Sequence, residues 1–229
     1  MSATSTKQKV LAKVLKAPRK RSSGNEQEAR PVLEEFIYGI CLENTTPEQA
    51  DRAFRKLREQ FIDWNEIRVS SAREVEEALR GLPNAEQRAE RVIGFLQQVF
   101  DEYFSFKIDD LDKKKGGVKQ ATKQLSDYVS ASPAVVSWVV QRSLGGHALP
   151  LDDSTFRTTQ RLGLVECDQQ DRSSAQSSLE HLVPKAKGLS FTEQINYIAH
   201  EYCYEEDPAC KKCPMAKECP TGQERASKK

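Results

Sequence analysis

A chain of 229 residues, 38% hydrophobic and 30% charged, can bury one large core or two modest helical ones. It contains no apolar run long enough to cross a bilayer, and its polar, basic N-terminus does not resemble a secretory signal. We therefore expect a soluble protein with no membrane partner, located in the cytoplasm and associated with the nucleoid.

The net charge of +1 conceals an uneven distribution of charge. Seven basic residues precede the first acidic residue, Glu26, and the remaining chain carries 28 basic against 34 acidic residues. Because residues 1–29 show no sustained hydrophobic periodicity, we predict a disordered basic tail, with at most one turn of helix around residues 10–15. Such a tail could bind nucleic-acid phosphates or could simply keep the chain soluble. The seven basic residues are Lys7, Lys9, Lys13, Lys16, Arg19, Lys20 and Arg21.

From residue 31 onward, apolar residues recur at helical spacing, and no alternating strand pattern of useful length occurs. The pattern predicts an all-α fold of nine or ten short helices within residues 30–202. Capping residues mark three of the helix starts, since Thr46, Ser132 and Asp152 each stand directly before a helical segment. The predicted helices cover approximately residues 31–42, 47–61, 74–79, 89–100, 119–128, 134–144, 153–161, 173–182 and 191–202.

Four of the six cysteines lie within seventeen residues near the C-terminus, separated by six, two and five residues. Thiolates at this density repel one another and oxidise unless a metal neutralises them, so structural zinc and an iron–sulfur cluster are both candidates. Zinc modules usually carry two close cysteine pairs, whereas this segment has one close pair flanked by single cysteines. A zinc knuckle and a disulfide pair remain as alternatives. The proposed metal ligands are Cys203, Cys210, Cys213 and Cys219.

The C-x6-C-x2-C-x5-C spacing resembles the [4Fe-4S] loop of endonuclease III-type DNA glycosylases, members of the helix-hairpin-helix superfamily. A second segment carries the same resemblance, because the family reads V-D-T-H-V-x-R-V-x-x-R-L-G-L where this chain has residues 151–164. Asp152, Arg157, Arg161 and the Leu-Gly-Leu at 162–164 match it in place, 51 residues before Cys203. Residues 42–46, Leu-Glu-Asn-Thr-Thr, resemble the family segment S-Q-N-T-T. The resemblance covers about residues 31–221.

The resemblance implies two helical subdomains with double-stranded, damaged DNA bound between them to a monomeric protein. It places a hairpin at about residues 119–144, a [4Fe-4S] cluster loop at 203–221 and a disordered tail at 222–229. Asp152 is the implied catalytic residue, although an aspartate at this position could act only as a helix cap. The implied DNA-binding residues are Ser130, Ala131, Ser132, Ala134, Asn44, Lys211 and Lys212.

The hairpin departs from the family pattern. The family sequence L-P-G-V-G-R-K falls on residues 128–134, so Ser130 and Ser132 replace both glycines and Ala134 replaces the lysine. Without that amine no Schiff base can form there, which predicts a glycosylase that releases a damaged or mispaired base without lysine-dependent strand cleavage. A non-catalytic iron–sulfur protein that binds DNA or senses damage is the alternative. A zinc-stapled helical adaptor without a DNA role is a third hypothesis.

Overall fold

The computed structural model describes residues 3–18, 29–111, 116–166 and 171–227. The secondary structure in this part of the chain is helical, apart from one β-bridge between Arg80 and Leu82. The predicted all-α fold is therefore confirmed. The α-helices are α1 (Ala3–Val14), α2 (Val32–Leu42), α3 (Pro47–Gln60), α4 (Trp64–Val69), α5 (Ala72–Leu79), α6 (Ala85–Tyr103), α7 (Gly117–Ser126), α8 (Pro133–Arg142), α9 (Asp153–Arg161), α10 (Arg172–Leu182), α11 (Gly188–Glu201) and α12 (Pro220–Ser227).

The chain forms two compact units. The first, which we call the hairpin unit, is Ser22–Gly146 and contains α2 to α8. The second, which we call the cysteine unit, combines Met1–Arg21 with His147–Lys229 and contains α1 and α9 to α12. None of the described helices is both long enough and apolar enough to span a membrane.

Helix α2 is the centre of the hairpin unit. It is buried along nearly its whole length and packs against α3, α6 and α8. The rings of Phe36 on α2 and Phe95 on α6 stack with their centroids 3.9 Å apart. The side chain of Glu35, also on α2, is buried and accepts hydrogen bonds from Trp138 Nε1 at 2.6 Å and from the Arg30 backbone N–H at 3.1 Å. This packing positions α2 and α6, and the middle of α6 lies beside the hairpin between α7 and α8, where Gln98 Oε1 accepts from Val129 N at 2.9 Å.

The core of the cysteine unit is formed largely by apolar side chains of α9, α10 and α11, including Phe156, Leu179, Phe191, Ile195 and Ile198. Helix α1 adds Val10, Leu11 and Val14 to this core, and Ala17 follows just beyond the helix. The side-chain amide of Gln194 on α11 donates to the backbone carbonyl of Ala17 at 3.1 Å.

The prediction of a disordered tail over residues 1–29 is wrong for the part that forms α1. Its apolar residues are spaced to make one buried face, but they are too few to stand out among the lysines. Lys7 pairs with Glu166 at 3.0 Å and Lys13 with Glu218 at 3.5 Å, so two of the basic residues lie against acidic partners of the same unit. Arg19, Lys20 and Arg21 lie outside the described residues.

Two further helices were not predicted. Helix α4 has six residues, too few to show a hydrophobic period, and its start is fixed by Asp63, whose side chain accepts from Glu66 N. Helix α12 occupies most of the predicted disordered tail at 222–229. It packs tightly against the segment 203–219 that carries the four cysteines, which we call the cysteine loop. A Cβ atom placed on Gly222 would lie only 2.7 Å from Ala216 O in that loop. The prediction of disorder is therefore wrong as far as Ser227.

Candidate functional site

Asp152 caps the N-terminus of α9 and is 8% exposed. Its Oδ1 accepts three hydrogen bonds, from Thr155 N at 2.9 Å, Thr155 Oγ1 at 2.7 Å and Ser154 Oγ at 2.8 Å. The Asp152 backbone N–H donates in return to Thr155 Oγ1 at 3.0 Å. These bonds fix the carboxylate at the positive end of the helix dipole, where a negative charge is favoured.

Ser154 connects this carboxylate to a histidine on another helix. Its Oγ lies 3.3 Å from Nε2 of His200, near the end of α11. The Ser154 hydroxyl donates its hydrogen to Asp152, and it can accept one from His200 Nε2 in the tautomer that carries a hydrogen on that nitrogen. Sequence analysis did not assign either residue to the site around Asp152. Ser154 stands where the family segment carries histidine, and the contact with His200 spans 46 residues, so no local pattern indicated it.

The four clustered cysteines line one small cavity of about 20 Å³ in the cysteine unit. They are free thiols in the structure, with no disulfide between them. Burial and, secondarily, the nearby thiols of Cys219, Cys203 and Cys210 raise the pKa of the Cys213 thiol to about 11. Within the described ranges, no three His, Cys, Asp or Glu side chains form a group that could hold a metal ion.

Two arginines of α9 hold the start of the cysteine loop. Arg157 Nε donates to the Cys203 carbonyl at 3.1 Å, and Arg161 Nη1 donates to the Tyr204 carbonyl at 2.6 Å. Arg161 Nη1 also lies 3.6 Å from Cys203 Sγ, and the thiol of Cys219 donates to the Arg161 carbonyl at 3.0 Å. One helix thus carries Asp152 at its beginning and supports the cysteine loop at its end.

The surface of the cysteine loop carries charges of both signs. Lys211 and Lys212, predicted to contact DNA, are exposed in a short 3-10 helix, Cys210–Lys212. The acidic residues at 205–207 are exposed as well, and Asp207 pairs with Arg225 of α12 at 3.2 Å. The loop therefore presents no uniformly basic face.

In the hairpin unit, the predicted DNA-binding residues differ in exposure. Ser130 and Ala134 are 7% and 8% exposed, Ala131 and Ser132 are partly exposed, and Val129 at the hairpin tip is 89% exposed. Asn44 is partly exposed too, at a left-handed backbone position with φ 56° between α2 and α3. The residues at 130–134 lie at the start of α8, where the helix-hairpin-helix resemblance places the DNA contact.

Two charged residues that sequence analysis missed hold this hairpin. Arg91 on α6 donates from Nε and Nη2 to the Ser130 carbonyl, at 3.2 and 3.1 Å. Glu43, which follows α2, accepts from Arg91 Nη1 at 2.6 Å and from Ser132 Oγ at 2.5 Å. Their separation of 48 residues left no local pattern from which the contact could be predicted.

Comparison with known proteins places this arrangement in context. No protein-family model matches the sequence. A candidate DNA glycosylase of Arabidopsis thaliana is 23% identical over 189 residues, which are 82% of this chain and 61% of that protein. The DNA glycosylase/AP lyase ROS1 of Arabidopsis thaliana is 25% identical over 175 residues, which are 69% of this chain and 12% of that protein. The chain thus spans less than two thirds of the length of either relative.

Solved structures agree on the fold. A structure of endonuclease III in a non-covalent complex with DNA matches with a TM-score of 0.75 and 18% identity, covering 100% of both chains. The chain therefore has the helix-hairpin-helix DNA glycosylase fold, and it resembles endonuclease III and related glycosylases. The resemblance found in the sequence is confirmed.

Proposed function

We propose that this protein is a DNA glycosylase that hydrolyses the N-glycosidic bond of a damaged or mispaired base in double-stranded DNA. The observation that carries the proposal is the buried carboxylate of Asp152, which accepts three hydrogen bonds, in a chain with this fold. The glycosylase relatives from Arabidopsis thaliana support the same reaction class. The target nucleotide would leave the base stack to reach the carboxylate, as enzymes that act on single bases require.

Asp152 supplies the charge that the reaction needs. Cleavage of an N-glycosidic bond leaves positive charge on the sugar, and a fixed carboxylate stabilises that charge or activates the attacking water. Ser154 and Thr155 hold Oδ1 in place before the substrate arrives, so little reorganisation is needed during the reaction. Ala134 offers no amine at the hairpin position, and the proposed enzyme therefore leaves the strand intact.

Substitution of Asp152 by Asn tests this role, because Asn keeps the capping ability and removes the charge. We expect base release from a responsive lesion duplex, measured as alkali-sensitive sites, to fall by at least roughly 100-fold. Asp153→Asn is the matched control, because it removes the same charge at the next position in the chain. The Asp153 side chain is 63% exposed and pairs with Arg172. Equal base release by the wild type and Asp152→Asn would remove Asp152 from the mechanism.

We further propose that Cys203, Cys210, Cys213 and Cys219 hold a [4Fe-4S] cluster. The four thiols share one cavity, and their sequence spacing, one close pair flanked by single cysteines, differs from the two close pairs usual in zinc modules. The cluster would brace the loop that α9 supports and would take no part in bond cleavage. Binding would require the thiols to lose their protons, including that of Cys213.

Analysis of protein purified without oxygen from iron-replete cells tests the cluster. We expect a brown protein with about four irons and four sulfides per chain, and we expect Cys213→Ser to lose this colour. Cys41→Ser is the control, because Cys41 is a buried thiol of the hairpin unit that does not line the cavity. One zinc without labile sulfide would overturn the cluster and favour the zinc alternative.

A non-catalytic DNA-binding protein is the second candidate function. Two observations favour it, namely the serines in place of the hairpin glycines and the exposed acidic residues at 205–207. A panel of lesion-bearing duplexes separates the two functions. Measurable duplex binding without base release from every lesion would support the non-catalytic protein and contradict the glycosylase.

A further inference from the structure

We propose that Glu43 acts as a built-in substitute for a DNA phosphate at the hairpin and thereby lowers the affinity of the protein for duplex DNA. The proposal rests on the DNA-binding function proposed above. Its chemistry is that of an internal anion competing with a phosphodiester for the N-terminus of α8.

The carboxylate of Glu43 is engaged on both oxygens. Oε1 accepts from Ser132 Oγ at 2.5 Å and Oε2 from Arg91 Nη1 at 2.6 Å, and the side chain is 16% exposed. Hydrogen bonds to an ionised partner at these distances are among the strong ones in proteins. Ser132 is the N-cap of α8, so Glu43 places a negative charge beside the first turn of that helix.

The backbone that carries Glu43 is fixed as well. Arg88 on α6 donates to the carbonyls of Glu43, Ile40 and Pro83, the last at 2.7 Å. This arginine is 5% exposed, and its guanidinium lies against the C-terminal end of α2, where the last carbonyls lack helical partners. The carboxylate is therefore held in position and does not swing freely into solvent.

The groups that would attract a phosphate at the start of α8 are largely used inside the protein. Pro133 has no backbone N–H, Val135 N donates to Ser132 Oγ at 3.2 Å, and Val136 N donates to Ser132 O at 3.0 Å. The guanidinium of Arg91 is shared between Glu43 and the Ser130 carbonyl. A phosphate at this helix end would lie near the fixed carboxylate, and like charges at close range repel, while Arg91 is already paired with Glu43.

Glu43→Gln tests the proposal with minimal change of shape. An amide oxygen can still accept from Ser132, and glutamine is also the residue of the family segment S-Q-N-T-T at this position. Glu59→Gln is the matched control, because Glu59 is an exposed residue of α3 in the same unit and its substitution changes the net charge equally. Circular dichroism and thermal unfolding would establish that both variants are folded.

Fluorescence anisotropy with a labelled duplex over a range of salt concentrations provides the first measurement. We expect Glu43→Gln to bind roughly fivefold more tightly than the wild type at low salt, the effect of removing one like-charge contact. Its affinity should also fall more steeply with salt, by about 0.9 in the logarithmic slope, since one more phosphate is contacted. Identical gains in the Glu43 and Glu59 variants, or no gain in either, would overturn the proposal.

Titration with inorganic phosphate, followed by amide NMR, provides a second measurement that does not need DNA. We expect phosphate to shift the backbone amide resonances of Ala134 and Val135 in Glu43→Gln but not in the wild type or in Glu59→Gln. If no variant binds duplex but this shift occurs, the DNA-binding function fails while the role of Glu43 as an internal anion stands. If the wild type shows the same shift, or Glu43→Gln shows none, the proposal is wrong.

Discussion

Replacing Leu11 by Ala distinguishes a basic tail from a structural helix. In the structure Leu11 is 7% exposed and packs with Val14, which is fully buried, in the core of the cysteine unit. A leucine in a disordered tail could be truncated without effect on folding. A leucine in a packed core cannot be truncated without effect, because its removal leaves a cavity and loses apolar contacts.

The expected magnitude follows from this burial. Leu-to-Ala substitutions in cores lower the free energy of unfolding by about 2–5 kcal/mol, and we expect roughly 3 kcal/mol for Leu11 because α1 lies at the edge of its unit. For a chain of this size, each kcal/mol lowers the melting temperature by about 2–4 °C, which gives a decrease of roughly 6–12 °C.

Urea and thermal unfolding, followed by circular dichroism, measure this change. Lys16→Ala is the matched control, since Lys16 is an exposed residue of the same segment and its truncation should alter the free energy of unfolding by less than about 0.5 kcal/mol. If Leu11→Ala and Lys16→Ala unfold alike, within that margin of the wild type, the core position of α1 is refuted.

Burial raises the pKa of Glu35, so its contribution to stability is complete below its usual pKa of 4.5 and is lost as the pH rises through the raised value. In urea unfolding, the free energy of unfolding of the wild type relative to Glu35→Gln should therefore decrease as the pH rises from 4.5 through the raised pKa. A difference between the two proteins that does not change with pH would contradict this effect of Glu35. Ser154→Ala should lower the rate of base release about tenfold with unchanged duplex affinity, measured by single-turnover kinetics; a change in affinity alone would contradict the positioning of Asp152. Borohydride should trap no covalent adduct with lesion DNA, because Ala134 offers no amine; a trapped adduct would point to another lysine, such as Lys119 or Lys123.

Several features of the protein were determined by local sequence. Thr46, Ser132 and Asp152 were correctly predicted as helix caps, because a capping side chain reaches only two or three residues ahead. The long helices α2, α3 and α6 followed from hydrophobic periods that span several turns. The cysteine spacing and the residues around Asp152 pointed to the fold, since both are contained in short continuous segments.

Contacts between distant segments were decided only by the tertiary structure. Ser132 and Glu43 are 89 residues apart, and Ser154 and His200 are 46 apart, so neither pair produces a local pattern. The role of α1 depended on the same kind of contact. Its few apolar residues do not predict a stable helix alone, because a short helix in water needs a partner surface. The core of the cysteine unit supplies that surface, and the lysines around it obscured the signal in the sequence.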